Sequence, residues 1–74
     1  MVAIEQKYVG SRDGKPMYRS VIISDNTPSA LPTDGGDVDG MTEDAVFAPG
    51  SLLIVVNEDA YYLAGEAGTF VLQE

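Results

Sequence analysis

Cysteine, histidine and tryptophan are all absent from this chain, and each absence closes off a class of function. Without Cys no disulfide can staple a small fold. Without His or Cys, zinc and most transition metals lose their usual ligands. Ser51, which follows a glycine, has no imidazole to activate it as a nucleophile. Basic residues run out early. Lys7, Arg12, Lys15 and Arg19 are the only ones, and from Ser20 to Glu74 there are ten acids and no base. A chain of net charge −8 has few cations with which to displace counterions from nucleic acid. No apolar run approaches the roughly 20 residues that span a bilayer. The N-terminal MVAIEQKYVG lacks the apolar h-region and small-residue cleavage site of a secretory signal. The expectation is a soluble protein made in a cytoplasm, with neither nucleic acid nor membrane as partner.

What remains is a small β-forming chain that needs help. A domain of 74 residues buries only roughly 60 % of its unfolded surface and is marginal alone. With disulfides and metals closed off, partner subunits are the remaining support. A homo-oligomer is therefore expected, a trimer among the candidates. The acidity serves solubility first. The basic start and acidic remainder also suit head-to-tail or swapped contacts between copies.

Along the chain, three parts of a single domain separate. Residues 1–24 read as a hairpin: Val2 to Val9 alternates, with Val2, Ile4 and Tyr8 on one side, Asp13-Gly14 turns, and Met17 to Ser24 returns. Residues 25–44 form a long acidic connection rich in Gly and Pro, in which Ser29-Ala30-Leu31 is expected to make one helical turn. Val38 and Met41 are its candidates for pinning it to a core. Residues 45–74 read as an antiparallel meander. Pro49-Gly50 supplies a type II turn, and Ser51 to Val56 (SLLIVV) suits a strand buried on both faces. Ala60 to Ala64 and Thr69 to Gln73 follow as further strands. The predicted class is all-β: a small antiparallel sheet or barrel-like sandwich of about five strands with one long irregular acidic loop.

The acidic loop invites a calcium reading and fails it. With Gly40 at the invariant glycine of an EF-hand loop, Asp37 and Asp39 fall at ligand positions three and five. Position one is then Gly35 and position twelve Val46, so two essential carboxylates are missing. Gly35-Gly36 and Gly40 do not make a phosphate loop, because no GK[ST] follows and the neighbours are acids. Paired carboxylates for glycoside chemistry need a walled cleft that so small a chain does not promise. No catalytic residue, cofactor or metal ligand is assigned, and the expectation is a protein that is not an enzyme. Candidates for an interaction surface are the basic Lys7, Arg12, Lys15 and Arg19, the loop acids Asp37 and Asp39, and the aromatics Phe47, Tyr61 and Tyr62. By alternation Tyr61 and Tyr62 point to opposite faces.

The order SDNTPSALPTDGGDVDGMTEDAVFAPGSLLIVV, then AYYLAGEAGTF, resembles small structural proteins of tailed bacteriophages and prophages of Firmicutes. Those proteins share an LPTxGxDVDG loop, an FAPGS corner, an apolar strand and a YxxxxxGxF ending, matched here from Tyr62 through Gly68 to Phe70. The resemblance covers Ser24 to Phe70. It implies a virion component of the head-decoration or head-fibre kind, made in the host cytoplasm and docked on a capsid or tail protein. It carries no active-site residue over to this chain. The alternative from another class is a small acidic phage inhibitor that mimics DNA and blocks a host defence protein. Against it, five of the twelve acids crowd into positions 34 to 44 instead of spreading along the chain.

Overall fold

The computed structural model describes all 74 residues. The N-terminal alternation becomes β1 (Val2–Arg12) and β2 (Lys15–Ser24), an antiparallel hairpin. Asp13 and Gly14 join them with φ of 52° and 79°, the left-handed pair that a two-residue type I′ turn requires. β1 is not a regular strand. Its register shifts between Ala3 and Glu5 and between Tyr8 and Gly10, so Ile4 and Val9 are the extra residues of two bulges. Each extra residue inverts the alternation, and Val2, Ile4 and Tyr8 therefore do not lie on one side as expected. All three are exposed.

The C-terminal part adds β3 (Val46–Phe47), β4 (Leu52–Val55), β5 (Ala60–Ala64) and β6 (Phe70–Gln73). The all-β expectation holds, with one correction to the pairing. β3 and β4 both lie alongside β2 and run parallel to it, while β5 and β6 pair antiparallel. The result is one open mixed sheet of order β1-β2-β4-β5-β6, with β3 beside the first half of β2. It does not close into a barrel. Parallel neighbours need a crossover of a dozen residues or more, and the long acidic segment is that crossover. Its length, unusual for a loop, is required by the topology.

The crossover packs on one face of the sheet. Its Val38 joins Ile22, Phe47, Leu53, Ala64 and Phe70 in the buried core, with Leu31 and Met41 packed against them. Phe47 and Phe70 meet edge to face, with ring centres 4.9 Å apart, a favoured aromatic geometry. Val38 and Met41 thus pin the loop as expected. The helical turn forms elsewhere: Ser29–Leu31 is irregular, and Gly35–Asp37 makes a short 3₁₀ turn capped by the Asp34 carboxylate, which accepts from Gly36 N–H. β4 is also less enclosed than its apolar run implies. Leu53 and Val55 are fully buried, whereas Leu52 and Ile54 are only half covered, because the crossover shields a single face.

The FAPGS corner holds the two parallel pieces together. Tyr18 pairs with Phe47 and Val21 with Leu52, so the chain from β3 to β4 carries two more residues than the stretch of β2 beside it. Pro49 and Gly50 take up the excess in a turn closed by Ser51 N–H donating to Ala48 C=O, with Gly50 at φ 88°. The ladder broken by this kink is repaired by the Ser51 hydroxyl. It accepts from Ser20 N–H at 3.0 Å and donates to Ala48 C=O at 2.8 Å. A serine that looked like an unassisted nucleophile is a piece of the sheet. Ser51→Ala leaves the buried Ser20 N–H without its partner, which is expected to cost about 1–3 kcal/mol. Urea unfolding measures it; a loss below about 0.5 kcal/mol would show that the hydroxyl is not needed there.

Candidate interaction face

The sheet face opposite the crossover is covered by nothing. Strand register arranges its side chains in two rows across the sheet. One row runs Val2, Ile23, Ile54, Tyr61, Gln73; the next runs Glu5, Val21, Leu52, Leu63, Val71. Eight of these ten positions are apolar. In an ordinary antiparallel sheet with one wet face, such positions alternate with polar residues. Here both faces are apolar, and only one is buried. Val2, Tyr61 and Val71 are 44, 48 and 58 % exposed, and Val21, Ile23, Leu52 and Ile54 are partly so. Contiguous apolar surface of this kind marks a place of contact. A shallow open groove lies at one end of it, lined mainly by Ile54, Val56, Ala60 and Tyr61 with Asp59 at its edge.

Charge divides the sheet along its strands. Beyond the Glu5–Val71 row lie Lys7 and Arg19, paired opposite one another on β1 and β2, and then Arg12 and Lys15 at the hairpin tip. Beyond the Val2–Gln73 row lie Asp25, Glu58, Asp59 and Glu74, the residues that follow β2, β4 and β6 or join β4 to β5. The sheet therefore carries all four basic side chains at one end, with Asp13 and Glu66 among them, and only acidic charged side chains at the other. The crossover adds further acids on the opposite face.

The expected surface residues separate on this frame. Lys7, Lys15 and Arg19 are exposed at the basic end. Arg12 is half-buried and committed inward: its guanidinium donates to Phe47 C=O at 3.0 Å and Glu66 C=O at 2.7 Å, tying the hairpin to the β5–β6 turn. Tyr61 stands on the open face. Tyr62 points the other way and packs against the core, as alternation requires. Phe47 is wholly buried; the large ring after the acidic loop is a core residue, not a contact residue. Asp37 and Asp39 sit on the crossover, away from the open face, and both serve the fold. The Asp37 carboxylate accepts from Thr33 N–H and hydroxyl, and the N–H of Thr33 above all holds its pKa below the ordinary value. Asp39 bridges to β1 through its backbone, donating to Met1 C=O and accepting from Ala3 N–H. No three acidic side chains converge as a cation would need. At the acidic end, Glu58 caps the start of the crossover by accepting from Thr27 N–H and hydroxyl, which lowers its pKa, the backbone donor contributing most.

The open face was missed by sequence reasoning because Ser51 to Val56 read as a strand buried on both faces. The signal was present in SLLIVV, whose unbroken apolarity supplies two faces where the fold buries one. No helix is long and apolar enough to cross a membrane. Comparison with protein-family profiles, with characterised proteins and with solved structures finds no match to this chain.

Proposed function

We propose that this chain is a non-enzymatic structural protein of a tailed-phage particle, acting by docking its open sheet face rather than by chemistry. The observation that carries the reading is the two-row apolar face, which spans five strands and is left uncovered by the chain's own crossover. A small domain gains stability when such a surface is covered by a partner, and a particle supplies partners at high local concentration.

A second consideration supports the same reading. The residues that carry the resemblance to phage structural proteins are the ones this fold is built from. Val38 enters the core, Asp37 and Asp39 lock the crossover, Gly40 adopts φ 89°, and FAPGS forms the kink. A pattern made of scaffold residues belongs to a protein valued for its shape. The inhibitor reading receives less support, because the acids lie on two separated surfaces and a basic cluster occupies one end of the sheet.

Mass spectrometry and imaging of particles purified from the phage or lysogen that encodes the chain test the proposal. The expected result is the protein in tens or more copies per particle, a presence lost when Leu63 and Val71 are both changed to Lys. Particles that lack the wild-type chain would overturn it.

A further inference from the structure

We infer that the occupant of the open face is a second copy of this chain, packed face to face with its strands reversed. This rests on the structural reading above and names the partner of that same surface. Two observations select a copy over another protein, and one arrangement over the other.

The first is charge. With Lys7 and Arg19 beyond one apolar row and Asp25, Asp59 and Glu74 beyond the other, the face is complementary to itself only when turned end for end. A two-fold axis lying in the interface, across the strands and between the two apolar rows, does this. A two-fold axis along the strands would set base against base and acid against acid, an arrangement that like charges oppose. A like-with-like meeting of wholly acidic surfaces is avoided, despite the net charge of −8 on each chain.

The second is fit. Under that axis each row lies over the other row of the partner. Val21 faces the partner's Ile23, Leu52 faces the partner's Ile54, and Leu63 faces the partner's Tyr61, so branched aliphatic side chains interdigitate as in the core of a sandwich. The Glu5 and Gln73 positions fall at the polar rim. Arg19, one step beyond its row on β2, comes over the partner's Asp25, one step beyond the other row on the same strand. The product is a sandwich of two sheets that meet at this face, with the two crossovers on the outside.

Sedimentation equilibrium of the full chain, with circular dichroism as a fold control, tests the inference. The wild type is expected to sediment at twice 7.9 kDa at micromolar concentration. Val71→Glu, a change at a 58 % exposed site, is expected to give a folded monomer with at least a tenfold higher dissociation constant. Arg19→Glu and Asp25→Lys are each expected to weaken the dimer several-fold, and the double variant to regain most of the loss. A wild type that stays monomeric, or a dimer indifferent to Val71→Glu, overturns the inference. So does a pair of charge changes that strengthens the dimer singly, since that places the axis along the strands. The two readings fail separately. A chain present in particles but monomeric in solution defeats the dimer alone. A reversed face-to-face dimer absent from particles defeats the structural assignment alone.

Discussion

Phe47→Ala is expected to remove about 3–5 kcal/mol of folding stability, a large share of what so small a domain holds. Phe47 is fully buried, sits at the meeting of β2 and β3, and holds Phe70 edge to face at 4.9 Å. Truncating a buried Phe removes its transfer free energy and leaves a cavity, together costing about 3–5 kcal/mol. A domain of 74 residues has roughly 4–11 kcal/mol to lose, at about 0.05–0.15 kcal/mol per residue. The core cluster holds only six buried side chains, so no neighbouring layer is available to collapse into the gap. The Phe47 backbone carbonyl also accepts the Arg12 guanidinium, so a shift of β3 would loosen the β5–β6 turn as well. Urea unfolding followed by circular dichroism measures the loss. A cost near 1 kcal/mol, on the scale of a surface change, would mean that the ring is not the centre of the core.

The second large effect belongs to Gly35→Ala. A Cβ at this position would stand 1.9 Å from the Thr42 carbonyl oxygen and 3.2 Å from Ala45 Cβ. The obstacle is backbone, which cannot swing aside as a side chain does. Gly35 donates its N–H to Ala45 C=O, while Ala45 donates to Thr42 C=O, so relief of the clash pulls apart the two legs of the crossover where they touch. Overpacking usually costs about 1–3 kcal/mol and occasionally more, and a backbone contact this short belongs at or above the upper end. The expected result is a cost of about 3 kcal/mol with loss of protection of the Gly35 and Ala45 amides in hydrogen exchange. Gly36→Ala is the control. Its nearest contacts are the Asp34 carboxylate at 3.1 Å and Glu43 at 3.4 Å, distances that a shift of a few tenths of an ångström relieves, and the cost should be much smaller. Equal effects at the two glycines would refute the close approach at Gly35.

Both residues show how far the sequence is legible. Gly35 reads as a loop glycine in an acidic run, and nothing local reveals that Thr42 lies against it. Phe47 reads as an aromatic at a corner, fit for a surface as much as a core. Tyr61 and Tyr62 are different. Alternation along a strand separates them whatever the rest of the chain does, and the structure places one outward and one inward. Asp13-Gly14 and Pro49-Gly50 are legible for the same reason, because φ preferences act within a few residues. The apolar run Ser51–Val56 announces a strand but not the number of layers that cover it.

Parallel pairing was the main point hidden from the sequence. A hairpin can be read from its turn, since the turn itself brings the strands together. β2 meets β3, and β4 after it, only through a crossover of some twenty residues, and no local preference records which neighbour a strand finds at that distance. Ser51 is the clearest case. Its hydroxyl matters because a two-residue excess between β3 and β4 opens the ladder at Ser20, a fact of register between segments far apart in the chain.

By itself the sequence determined the all-β class, the Asp13-Gly14 and Pro49-Gly50 turns, the opposite directions of Tyr61 and Tyr62 and the lack of cysteine and histidine side chains, because each depends on residue type or on contacts a few residues apart. Only the tertiary structure decided that the sheet is mixed and open, that the acidic loop is a crossover lying on one face, and that the other face stays bare. Those outcomes depend on which strands pair across long stretches of chain. Burial is a property of the assembled sheet, and a strand with two apolar faces cannot state which of them will be covered.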